Sequence, residues 1–250
     1  GYMNTATAEK QNKIMYISQA KDFANLPGQP IAYWVSKRFI ENYHNLSLSK
    51  YGEVITGMTI GDNNKYLRLW YEVNRCCVAL SCSSMAMIDL RVTKWIPYSK
   101  GGTRRNWYGN YEYLVNWAGK EYFNRSKTTL QHLYLREAIS WPFITPGKFS
   151  ARLLPIGSLW DVAGSPCFFK DKETEYYFLG LLCSKPADYM LKVVNPTMNI
   201  QAIDVAQIPV IKETEKNDLI IRLVQSNIEN SKCDWDSFET SWDFKKHPLI

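Results

Sequence analysis

At 250 residues the chain can bury one sizeable core or two small ones. A composition of 46% hydrophobic and 22% charged residues excludes a disordered or fibrous protein. The net charge of +6 is unevenly spread: Arg91 to Arg152 holds eleven Lys/Arg against three Glu, whereas Glu213 to Asp243 holds eight acidic residues against three basic ones. A basic centre facing a polyanion and an acidic end facing something else is the expectation, beside an ordinary solvated surface. No apolar run approaches a membrane span and the polar start GYMNTATAEKQNK lacks a signal-peptide core, so a cytoplasmic protein with no membrane partner is expected. The opening glycine suggests a piece of something longer.

In chain order, QPIAYWVSKRFIENYHN reads as a helix, with Pro30 in its first turn and Ile31, Val35, Phe39 and Tyr43 on one face. Strand-like runs rich in β-branched and aromatic residues follow: EVITGMTI, KYLRLWYEV, CCVALSC, EYLVNW, FSARLLP and SLWDVAG. EYYFLGLLCSK and ADYMLKVVN predict two helical pieces that meet at Pro186 in a break, kink or restart. Lys216–Asn230 predicts an amphipathic helix with Leu219, Ile220, Leu223, Val224 and Ile228 on one face. The ending DWDSFETSWDFKKHPLI carries large aromatics without a regular pattern. The fold class is α+β, a strand-rich domain with flanking helices and a C-terminal helical extension.

The six cysteines form neither a disulfide framework nor a zinc spacing, and reduced, mostly buried thiols are expected. In GMTIGDNNKYLRLW, Gly61 is followed by Asp62, Asn63 and Asn64, which places a carboxylate where a phosphate loop needs donors. No Gly-x-Gly occurs, and a calcium loop's distal glutamate is lacking. The local reading is a hairpin turn, since Gly, Asp and Asn tolerate positive φ, and such turns also present short polar side chains to ligands. Three histidines in unrelated contexts and no nucleophile elbow leave no positive case for an enzyme.

KWIPYSKGGTRRNWYGNYEYLVNW is more informative. Lys94, Lys100, Arg104 and Arg105 flank Gly101-Gly102 among interleaved aromatics. Lys and Arg neutralise phosphates, Arg forks onto guanine, and amides such as Asn106 and Asn110 pair with adenine. Paired glycines let a backbone approach a phosphate. The alternative is an aromatic core with a basic rim, although a glycine-rich basic loop is expected to contribute little to stability.

Five ordered blocks (IAYWVSKRFIENY, TGMTIGDNNKYLRLW, the Lys94–Trp117 segment, FSARLLPIGSLWDVAG and LGLLCSKPADYMLKVVNPTMNIQAIDVAQIPV) and the ending closely resemble the C-terminal half of the adenine-specific DNA methyltransferases of bacterial phage-exclusion systems, the BREX or PglX family. More distantly the chain is similar to the specificity halves of type IIG restriction-modification enzymes and to type I specificity subunits. The resemblance implies an N-terminal domain that binds S-adenosylmethionine and methylates adenine N6 through an Asn/Asp-Pro-Pro-Tyr/Phe motif, and a C-terminal domain that reads DNA. Here eleven prolines include no adjacent pair. The chain therefore resembles the specificity half alone, inactive by itself and without a cofactor or metal of its own, S-adenosylmethionine belonging to the other half.

The resemblance implies a target-recognition domain over 23–212, and the charge count and apolar spacing set off an acidic helical tail over 213–250. The tail should lie away from DNA, packing on its own domain or on the catalytic half through Trp235, Phe238, Trp242 and Phe244. Expected contacts to double-stranded DNA are Asp62, Asn63, Asn64, Arg68, Lys94, Lys100, Arg104, Arg105, Asn106, Asn110, Lys148 and Arg152. Expected partners are duplex DNA, the N-terminal methyltransferase domain and other phage-defence proteins. The competing expectation is a protein-interaction scaffold within a defence complex. Residues 74–93 match no block.

Overall fold

A computed structural model describes residue 24, residues 26–210 and residues 217–250. They form a mixed α and β fold in three layers. The first sheet has strand order β1-β8-β5-β6, built from β1 (Gly52–Val54), β5 (Ala138–Ser140), β6 (Arg152–Leu154) and β8 (Pro166–Phe169), with every pair antiparallel. The second has order β2-β4-β3-β7, built from β2 (Leu67–Leu69), β3 (Trp95–Ser99), β4 (Tyr113–Asn116) and β7 (Leu159–Trp160). Within it β7 runs parallel to β3, and the other pairs are antiparallel.

Side chains alternate across a strand, and the first sheet uses both faces. Ile139, Leu153, Cys167 and Phe169 point into a core shared with the helices, whereas Ala138, Leu154 and Phe168 point into a core shared with the second sheet. Helices cover the first face: α3 (Lys172–Leu182), α4 (Lys185–Val194), α5 (Ala202–Ala206) and α6 (Asn217–Asp236). Shorter helices α1 (Lys37–Asn42) and α2 (Asn63–Tyr66) precede them.

Several local expectations are met and several are corrected. The predicted break at Pro186 is a restart: Ser184 caps α4 by accepting from the Ala187 amide, and Pro186 sits in the first turn, where an N–H has no helical partner. The helix expected from residue 30 begins only at Lys37, because the Ser36 hydroxyl accepts from the Phe39 amide and fixes the start there; Ile31, placed on its buried face, is 74% exposed. CCVALSC forms no strand. Its first residues lie in a 3-10 turn, Arg75–Cys77, and Val78 makes an isolated bridge to Trp95. Among the cysteines only Cys167 is fully buried, and Cys76 and Cys233 are exposed, so the expected burial of thiols is overturned; all six are free. The C-terminal helix extends to Asp236 and buries Val224, Ile228 and Trp235, while Leu219 and Leu223 face outward. The expected boundary at 212/213 lies outside the described residues.

Candidate nucleic-acid interface

The Gly61-Asp62-Asn63-Asn64 stretch is not a hairpin turn. It carries the chain from the first sheet to the second, with Gly61 at φ 92° and the Asp62 carboxylate accepting from the Lys65 amide at 3.0 Å to start α2. Asp62 is thereby occupied in capping, while Asn63 and Asn64 remain exposed. Arg68 is half-buried and donates to the Asn64 and Leu67 carbonyls, both at 2.6 Å, so it closes the same turn.

The Lys94–Trp117 segment is the β3–β4 hairpin, and its long connection is folded inward. Gly101, Gly102, Trp107, Gly109 and Asn110 all have positive φ, a conformation that is costly for Trp107 and needs surrounding structure to hold it. Trp107 supplies that hold: its amide donates to the Ala151 carbonyl at 2.9 Å and its carbonyl accepts from the Leu153 amide at 2.9 Å, which adds it to the free edge of β6. The loop then crosses into the helical layer, where Tyr108 and Tyr111 are buried beside Trp235.

Arg152 organises this loop from inside. Its side chain has the largest volume among the fully buried charged residues, at 1% exposure, and its guanidinium donates to the carbonyls of Gly101, Thr103 and Arg105. The Asn110 amide donates to two of the same carbonyls, Gly101 at 3.3 Å and Thr103 at 2.8 Å. Burial pulls the Arg152 guanidinium down to about 10, which still leaves it charged at neutral pH. The expectation of Arg152 as a DNA contact is therefore corrected: β6 turns its side chain toward the interior, and backbone carbonyls take the place of water. Asn106 is likewise drawn in, with its Oδ1 buried.

The other loop cations are partly engaged. Lys100 Nζ lies 3.0 Å from Asp161, whose buried carboxylate also accepts from the Tyr98 hydroxyl at 3.0 Å and from the Ala163 amide at 2.9 Å. Burial, followed by the Asp161 charge, raises the Tyr98 phenol well above its ordinary value. Arg105 pairs with Asp234 at 3.0 Å and lies over the Trp235 ring. These contacts tie the loop to Asp161 and to the C-terminal helix. Arg104 remains exposed, as does Lys148, which lies on a separate loop beside α4. The acidic tail packs on its own domain and on this loop: the Trp242 backbone carbonyl accepts from the Arg75 guanidinium at 3.0 Å, and the Thr240 carbonyl accepts from Trp70 Nε1 at 3.0 Å.

Ten of the twelve expected contact residues thus divide between opposite ends of the second sheet, Arg68 lying within β2 and Lys148 on its separate loop. Tyr113 of β4 faces Tyr98 and Leu69 at the Gly-Gly end, whereas Asn116 faces Trp95, and Leu67 pairs with Val115, at the other end. At about 3.4 Å per residue the strand itself separates the two ends by roughly 10 Å. Lys100, Arg104, Arg105, Asn106, Asn110 and Arg152 gather at the first end; Asp62, Asn63, Asn64 and Lys94 gather at the second.

That second end also holds cations absent from the expected set. Thr59 and Arg125 exchange two backbone hydrogen bonds at 2.9 Å, which brings residues 59–65 against 120–127. Lys65, Lys120, Arg125 and Lys127 are thereby collected on one corner. Lys120, Arg125 and Lys127 share in the basic excess of the Arg91–Arg152 segment, whereas Lys65 comes from a distant segment with no such excess.

A scan against protein-family models returns no match. Two curated proteins align with nearly the whole chain. "Adenine-specific methyltransferase PglX" of Lacticaseibacillus casei (strain Zhang) is 35% identical over 259 residues, covering 98% of this chain and 21% of that protein. Along nearly its full length the chain is similar to a part of this PglX methyltransferase. "Adenine-specific methyltransferase BrxX" of Escherichia coli O9:H4 (strain HS) is 36% identical over 237 residues, covering 92% of this chain and 18% of that protein. The chain thus spans about a fifth of the length of these PglX and BrxX relatives.

Proposed function

We propose that this chain is the DNA-recognition portion of an N6-adenine DNA methyltransferase of a phage-defence system, holding duplex DNA while a separate catalytic portion methylates an extruded adenine. The observation that carries this reading is the similarity to two adenine-specific methyltransferases along nearly the full chain, in a sequence with no adjacent prolines and no Gly-x-Gly. The fold supports placing S-adenosylmethionine elsewhere. Cofactor crevices of open α/β sheets form beyond the carboxyl ends of parallel strands. The one pair of parallel strands among the described residues, β3–β7, is two residues long and ends at the Lys100–Asp161 ion pair.

The competing reading, a scaffold whose basic face is incidental, draws on the engagement of Lys100 and Arg105 by carboxylates of the same chain. Fluorescence anisotropy with labelled duplex DNA separates the two. Recognition predicts binding in the non-specific range of ~10⁻⁴–10⁻⁶ M at physiological salt, weakening steeply as salt rises. Salt-indifferent or absent DNA binding, with tight binding to the catalytic portion, would support the scaffold instead.

A further inference from the structure

We infer that the phosphate backbone of duplex DNA is gripped at the corner formed by Lys65, Lys120, Arg125 and Lys127, at the end of the second sheet opposite the Gly-Gly loop. This rests on the reading of the chain as a DNA-recognition module and names the surface that performs it.

Charge supports this corner first. Residues 59–68 and 117–127 carry five basic side chains (Lys65, Arg68, Lys120, Arg125, Lys127) against two acidic ones (Asp62, Glu121). The Asp62 carboxylate is turned to the α2 amide. Among the described residues, no carboxylate lies within ion-pair distance of Lys65, Lys120, Arg125 or Lys127. At the opposite end, by contrast, Asp161 and Asp234 already neutralise two of the loop cations.

The corner is also held stiffly from beneath. Trp117 and Phe123 meet edge to face with ring centroids 5.8 Å apart, and Tyr66 meets Phe123 at 5.2 Å, all three buried. The Tyr134 hydroxyl donates to the Ser126 carbonyl at 2.8 Å, pinning the backbone between Arg125 and Lys127. Lys127 itself sits at φ 57°, a conformation that costs energy in a lysine unless the surroundings enforce it. Partial burial, and then the neighbouring Arg125 charge, hold the Lys127 ammonium below the usual lysine range. Two like charges so placed repel until an anion lies between them, and phosphate is the anion that duplex DNA presents. Lys65 and Lys120 stand near aromatic faces, Lys65 5.7 Å from the Tyr122 ring and Lys120 5.7 Å from the Trp117 ring. Tyr122 is 69% exposed, a flat apolar surface beside the cations rather than part of the core. Cations on a preorganised base lose little conformational freedom on binding.

The test compares three forms of this chain by anisotropy on one duplex across a salt series: the parent, K65A/R125A/K127A, and K185A/K245A/K246A, which removes equal charge from exposed positions elsewhere. Each lost phosphate contact lowers the salt slope by about 0.9. The corner variant should therefore lose at least tenfold in affinity and roughly 2–3 in slope, while the second variant binds as the parent does. A K65R/K127R variant should retain binding, which guards against a folding defect in the alanine variant. If the parent binds with a salt slope and the corner variant binds equally well, or if both triple variants weaken alike, the corner is not the grip, although the recognition reading stands. If the parent shows no salt-dependent duplex binding, both fall.

Discussion

The Arg105 guanidinium pairs with the Asp234 carboxylate at 3.0 Å while its carbon lies 5.1 Å from the Trp235 ring centroid. The basic hairpin loop is thus fastened to the acidic C-terminal helix by a charge pair and a ring at once. An exposed ion pair contributes about 0–1 kcal/mol and a cation–π contact about 0.5–1 kcal/mol. Arg105→Ala should therefore destabilise by about 1 kcal/mol and lower Tm by about 2–4 °C in a chain of this size. Arg104→Ala, at an exposed neighbour, should leave Tm unchanged. Calorimetry showing equal losses for the two would mean that the tail contact contributes nothing.

Trp235 makes a larger contribution. It is buried against Tyr111 and the Gly109 backbone, in the core that also takes Val224 and Ile228 from α6. Trp235→Ala should cost about 3–5 kcal/mol, as deletion of a buried aromatic does, and urea denaturation would measure it. Ending the chain at Lys212 removes all three anchors and should abolish the cooperative melt. A truncated chain that melts at the parental temperature would reduce α6 to an appendage.

Arg152 supports a third expectation. Arg152→Met leaves the Arg105 carbonyl without its buried donor and puts Gly101 and Thr103 on Asn110 alone. A cost of about 1–3 kcal/mol follows for the unsatisfied groups. The loss should be local, appearing as faster amide exchange through residues 101–110 before the rest of the chain opens. Uniform exchange across the molecule would show that the loop does not depend on this guanidinium.

Glu175 introduces a pH dependence. It is buried on α3 with Oε1 lacking a hydrogen-bond partner, and burial raises its carboxyl above the ordinary glutamate value, against the opposing charges of Lys172 and Arg136. Between the unfolded value, about 4.3, and the raised folded value, the native state holds a proton that the unfolded state has released. Stability from this group therefore falls as pH rises through that window. Glu175→Gln should remove this part of the pH dependence and raise stability at neutral pH. Parallel pH profiles for the two proteins would contradict it.

What could be read from residues alone follows where each signal is local. The Ser184-x-Pro186 restart and the apolar spacing of α6 are short-range, and both elements form where expected. β3 escaped recognition because Pro97 interrupts it and its basic, glycine-rich continuation reads as loop. Residue type alone puts Arg152 at the surface. On β6 it shares a face with buried Leu154, and the loop carbonyls explain why a charge is tolerated there. The Lys65–Lys127 corner had no local signal, since a bridge between Thr59 and Arg125 creates it.

Pairing of β1 with β8 joins Gly52 to Phe169 and encloses all four strands of the second sheet between them in sequence. During synthesis at about 5–20 residues per second, β1 emerges roughly 6–23 s before its partner exists. Strands β2, β3 and β4 close their ladder within that interval, whereas the helix-facing core must await β8 and α3. The second sheet, with the cationic corner at one end, is thus free to assemble on the nascent chain before the layer that seals the Gly-Gly loop arrives. Pulse-labelling of ribosome-bound chains stalled after residue 150 would then find protection at residues 95–99 and 113–116 and none at residues 52–54.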